Sequence, residues 1–162
     1  MKIIPFTHKT ISLFLFLFLS LINLNAEVVV GQSFPSFTLE DQFEKKHTIS
    51  SDTKKIILVF SKDNGHIMKE YMEGKHENFL SQRNILFIAD ISRMPSIIAS
   101  LFAKPDMRES KYPILLIEDE EISKNYKVEN KKEFFMIVSV KDTVVLDINF
   151  VNNKAELKKH IE

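Results

Sequence analysis

The chain has 162 residues, room for one domain and a processing segment, and its 22 basic and 22 acidic side chains cancel. It contains no cysteine, which excludes disulfide exchange, peroxidatic thiols, thiolate metal sites and a lipidated-cysteine anchor from its own chemistry. Three glycines are too few for a glycine-rich phosphate loop, and the balanced charge gives no electrostatic footprint for nucleic acid.

Lys2, His8 and Lys9 make a basic, acid-free opening, followed by the apolar run ISLFLFLFLSLINL at 11–24 and the small residue Ala26. That run has the length of a secretory core segment and falls short of the roughly 20 residues needed to cross a bilayer. Residues 1–26 are therefore expected to be a signal peptide cleaved after Ala26, with an uncleaved anchor as the alternative, and 27–162 the mature domain. Processing removes two lysines and no acid, leaving 20 basic against 22 acidic side chains and a formal charge of −2. The expected location is the periplasm of a Gram-negative type of cell, or the medium, with no membrane span after processing.

The stretch EVVVGQSFPSFTLEDQFEKKHTI at 27–49 alternates around Phe34, Phe37 and Leu39 and turns at EDQFEKK, which predicts an edge hairpin with Pro35 near the sheet edge. KKIILVFS at 54–61 and NILFIAD at 84–90 are continuous apolar runs, the signature of strands buried on both faces. Between them, HIMKEYMEGKHENFLSQ at 66–82 carries Ile67, Met68, Tyr71 and Met72 at helical spacing, with Asp63 or Asn64 as its cap and an interruption at Gly74. SRMPSIIASLFAKP at 92–105 predicts a second helix, N-capped by Ser92, with Pro95 in its first turn and Pro105 as its end. Strand, helix, strand, helix with continuous apolar strands implies parallel pairing and right-handed crossovers. KYPILLIEDE at 111–120 predicts a further strand and EEISKNYKV at 120–128 a short helix or turn. KEFFMIVSVKDTVVLDINFV at 132–151 predicts a hairpin turning at Lys141 and Asp142, and NNKAELKKHIE a closing helix capped by Asn152 or Asn153.

This order, with GQSFPSFTLEDQFEKKHTI, IILVFSKDNGHIMKE, ILFIADIS and YPILLIEDEEISKNYKV, resembles the thioredoxin-like superfamily in its peroxiredoxin and periplasmic thiol-reductase branch. The resemblance implies an α/β fold, a three-layer α/β/α sandwich on a mixed central sheet. It places the superfamily's redox turn on Lys62, Asp63, Asn64, Gly65, His66 and Met68, where this chain has no thiol. The proline that faces the thiol in the family also has no counterpart near KKEFF. The stretches at 90–95 and 111–117 are similar to those of a group of small exported thioredoxin-like proteins of undefined role.

His66, with Asp63 upstream and Glu70 one turn on, is the residue type that could accept a proton or bind metal at a helix start. The simpler reading makes it a solvated helix residue. Asp90 ends a buried strand, where ligands often sit, although such an aspartate more often ties down the next element. His47, His66, His76 and His160 show no metal-ligand spacing, Met68 and Met72 fit a core stripe better than a soft ligand pair, and KVENKKE reads as an exposed loop. The sequence therefore predicts an exported protein without thiol redox activity, a binding or structural module of the cell envelope with a protein partner, no metal and no cofactor. The alternative is a non-thiol enzyme or metal-handling protein using His66, Asp63 and Asp90.

Overall fold

The computed structural model describes residues 27–128 and 130–162; the expected signal segment lies outside them. β3 (Lys55–Val59) is the centre of the molecule, because it is paired on both sides and buried on both faces. Ile57 and Val59 face one apolar cluster while Ile56 and Leu58 face the other, so the period-two geometry of the strand requires an uninterrupted apolar run. β4 (Ile85–Asp90) lies parallel to it, with Ile57 beside Phe87 and Val59 beside Ala89. β5 (Leu115–Ile117) continues the parallel set beyond β4. The hairpin of β1 (Thr38–Asp41) and β2 (Lys46–Thr48) adds to β5, and β6 (Phe135–Lys141) with β7 (Val144–Val151) adds to β3. The seven strands run in the order β2-β1-β5-β4-β3-β6-β7, a mixed sheet with the expected hairpin at one edge. The β6–β7 turn falls at Asp142 and Thr143 rather than Lys141 and Asp142; both residues have positive φ, as a two-residue turn matched to strand twist requires.

α1 (Lys62–Met72) starts earlier than the apolar spacing predicts. Its cap is Ser61, not Asp63 or Asn64: Ser61 is extended, and the Asn64 amide donates to its hydroxyl at 3.3 Å. The helix stops at Met72, and Gly74 takes a φ of +73°; the expected helical continuation to Gln82 is instead a run of turns with a 3-10 piece at Ser81–Arg83.

Residues 96–108 form one rod, α2, of three consecutive pieces: α-helical Ser96–Ile98, a π segment Ala99–Ala103 and α-helical Lys104–Arg108. Ser92 does not cap it, since Pro95 occupies the cap position, and Pro105 does not end it. The wide π turn explains the second departure: Pro105 falls at the first turn of the piece that follows, where its missing N–H and its ring are tolerated.

α1, α2 and the closing helix α4 (Lys154–Ile161, capped by Asn153) pack on the face that holds Ile57 and Val59 through Met68, Tyr71, Ala99, Leu157 and Ile161. The opposite face is covered by the short α3 region (Glu120–Lys124) and by the segment holding Val28, Phe34 and Phe37, with Tyr126 stacked on Phe34 at 5.5 Å. The third layer is thus mostly irregular chain with one short helix. A polar clamp fixes the hairpin edge: the buried Gln42 amide donates to the Tyr112 carbonyl at 2.9 Å and accepts from the Ile114 amide at 2.8 Å.

Met68 is wholly buried while Ile97 is 68% exposed, so apolar identity alone does not predict their weight. Met68→Ala is expected to cost about 2–5 kcal/mol and Ile97→Ala about 0.5 kcal/mol or less in urea denaturation.

Candidate functional site

The carboxyl ends of β3 and β4 lie side by side, so the turn into α1 and the turn after Asp90 form one end of the sheet. This is the position where open α/β sheets bind ligands. Lys62 and Asp63 are exposed in the first turn of α1. Because α1 begins at Lys62, His66 sits in its second turn rather than at the helix start; it is exposed, and its ring makes no hydrogen bond or ion pair among the described residues. Gly65 makes no close approach, since a Cβ there would meet nothing within 4 Å. Met68 and Met72 are both core residues.

Asn64 points the other way. It is 3% exposed, and its side-chain nitrogen has no hydrogen-bond acceptor among the described residues. The Ser92 hydroxyl, after β4, is likewise enclosed without a partner. Such groups lose their hydration without recovering it.

Asp90 holds the strand end together. Its carboxylate is 3% exposed and receives the Lys127 ammonium at 2.8 Å, the Ser123 hydroxyl at 2.6 Å and the Ser92 amide at 2.9 Å. Burial alone would push this carboxyl up, but Lys127, Ser123 and Ser92 outweigh it and hold it below its ordinary value of 3.8. Asp90 therefore joins β4 to α3 and the segment after it, and both of its own oxygens are occupied by these contacts. Lys127, expected in an exposed loop, is mostly enclosed by this contact. The partners are 37 residues apart, and no local pattern in the sequence connects them.

A second buried acid lies elsewhere. Asp41 accepts from the Phe43 and Lys45 amides at 2.8 and 3.0 Å and faces His47 Nε2 at 2.7 Å across the β1–β2 turn. Burial raises its carboxyl, and His47 with the two amides more than reverses this. His47 lines a cleft of about 320 Å³ with Ser50, Thr53, Asn84 and Pro113, at the amino ends of β3 and β4 and so opposite the turn. Among the described residues, no three His, Asp or Glu side chains are grouped to hold a metal ion. No helix among them is long and apolar enough to cross a membrane.

The end of the sheet is bordered by α2, which is tied to α1 by Lys69: its ammonium lies 2.9 Å from Asp106 and 3.3 Å from Glu109. On α2, Ile97, Ile98, Leu101 and Phe102 are 68%, 43%, 63% and 65% exposed. Scattered apolar residues are ordinary at a surface, but four on adjoining turns of one helix form a patch.

No protein-family model matches the chain, and no curated protein sequence does. Solved structures do. A peroxiredoxin-like protein from Aquifex aeolicus aligns with a TM-score of 0.52 at 15% identity, over 83% of this chain and 86% of that one. A peroxidoxin from Mycobacterium tuberculosis gives 0.52 at 14%, over 82% and 93%. The thioredoxin domain of a thiol-disulfide oxidoreductase from Bacteroides vulgatus gives 0.51 at 9%, over 84% and 100%. The chain thus has a thioredoxin-like fold on a mixed seven-stranded sheet, without a cysteine.

Two outcomes follow from the buried polar groups. Lys127→Met, which strands the Asp90 carboxylate, is expected to lower unfolding free energy by about 3–5 kcal/mol, and adding Asp90→Asn to restore most of it. Because the folded carboxyl titrates below 3.8, the stabilisation is complete above that value and lost as pH falls through the lower folded one. Urea titrations should show the wild type losing more stability than the double variant below pH 3.8. Asn64→Leu keeps the amide that binds Ser61 and removes the unpartnered nitrogen; it is expected to hold or raise the unfolding free energy measured in urea, by about 1 kcal/mol at most.

Proposed function

We propose that the protein is an exported, non-catalytic binding module of the cell envelope that keeps the thioredoxin-like frame without thiol chemistry. Its docking face is the carboxyl end of β3 and β4, extended over α2. One contrast carries this reading: the buried carboxylate at the strand ends is consumed internally, while α2 beside it leaves Ile97, Ile98, Leu101 and Phe102 in water. Interface centres are depleted in charge and enriched in such apolar anchors. Export is supported by the basic opening and the apolar run at 11–24. The alternative, catalysis through His66, Asp63 and Asp90, has less support: Asp90 is tied to Lys127, and the exposed His66 ring has no acid partner among the described residues.

Crosslinking in intact cells expressing the full chain tests this reading. Wild type and a variant altered at exposed Lys159 on α4 should capture the same envelope protein, Leu101→Asp should lose it by about tenfold or more, and substitutions from Lys62 to His66 should weaken it less. Equal capture by Leu101→Asp and wild type would overturn the proposal.

A further inference from the structure

Resting on the reading of α2 as a binding surface, we infer that it takes a second copy of this chain, packed antiparallel about a two-fold axis between Ala99 and Ser100. The four exposed side chains occupy one side of the rod, while Ala99 and Met107 turn toward the sheet. Together they leave on the order of 500 Å² of apolar surface in water, taking about 200 Å² for each fully exposed side chain of this size. Two copies would bury roughly 1,000 Å² through these residues alone, which reaches the lower bound of a specific interface.

The sequence of the rod is self-complementary about that axis. An antiparallel partner sets Ile97 opposite Phe102 and Ile98 opposite Leu101, so every exposed apolar residue meets another. Arg93 lies in the turn just before the rod, and this arrangement carries it toward Asp106 at the far end of the partner rod. Arg93 is exposed and has no ion pair among the described residues, and Asp106, though paired with Lys69, is still 58% exposed. Each pair occurs twice in the dimer, at its two ends, where charged groups fix register and orientation. A lipid surface suits the rod less well, because its carboxyl half balances Asp106, Glu109, Glu118 and Glu44 against Lys69, Lys104 and Arg108, where an anionic bilayer would favour an excess of lysine and arginine.

Sedimentation velocity on protein expressed from the full chain, from about 1 to 200 µM, tests the inference; a dimer in the micromolar range is expected. Leu101→Asp should weaken it by roughly 30-fold or more with an unchanged circular dichroism spectrum. Arg93→Asp and Asp106→Arg should each weaken it about three- to tenfold, and together restore it, because the double variant exchanges the two charges. A dimer indifferent to Leu101→Asp, or one that the combined swap does not restore, overturns the inference. A monomer at 200 µM also overturns it: if crosslinked capture still depends on Leu101, the binding-surface reading stands, and if capture is equally indifferent, both fail.

Discussion

The structure depends on the double burial of β3. Ile56, Ile57, Leu58 and Val59 are each at most 3% exposed, and the strand hydrogen-bonds to β4 on one side and β6 on the other. Along Ile56–Val59 a strand in that position satisfies its backbone only through its neighbours and has no room for charge on either face; the one lysine of β3, Lys55, sits at its partly exposed start. The first residue free to be polar is Ser61, and it serves as the cap of α1. The turn from β3 into α1 is thus produced by the strand and its cap, and its shape needs no reactive residue.

The legible parts of the sequence were those with a local cause. Continuous apolar runs marked β3 and β4, alternation marked the first hairpin, and Gly74 marked a break in the helical pattern, though the helix expected beyond it is a run of turns. The misread parts had causes elsewhere in the fold or more than one local solution. Ser61 closes an apolar run and so reads as the last residue of a strand, which conceals its capping role. Pro105 reads as a helix stop, yet the π segment before it accommodates the ring. The Asp90–Lys127 contact has no sequence signature, because its two halves belong to different elements brought together by the sheet. The exposed face of α2 escaped notice for a related reason: an apolar helix flank reads as core unless the chain is known to run out of surface to cover it.

The chemistry of the site is one of occupation rather than vacancy. At the carboxyl ends of the parallel strands, Asp90 is neutralised by Lys127 and hydrogen-bonded by Ser123. The acid–imidazole contact of Asp41 and His47 lies at the opposite end, fastening the edge hairpin. Each buried acid has a mechanical role in joining segments, and the thioredoxin-like frame is held by those joints together with its two apolar clusters.

The segment just after the expected cleavage point has a consequence for solubility. The Gly31 amide donates to Val145, the Val145 amide to Gln32, and the Phe34 amide to Thr143, so this short stretch caps the opening half of β7, an edge strand eight residues long. Sheet edges left bare recruit other strands. Residues 31–34 act as a guard rail there, and trimming the chain past Phe34 would convert a closed flank into a template for intermolecular strand addition, with Leu146 already in solvent.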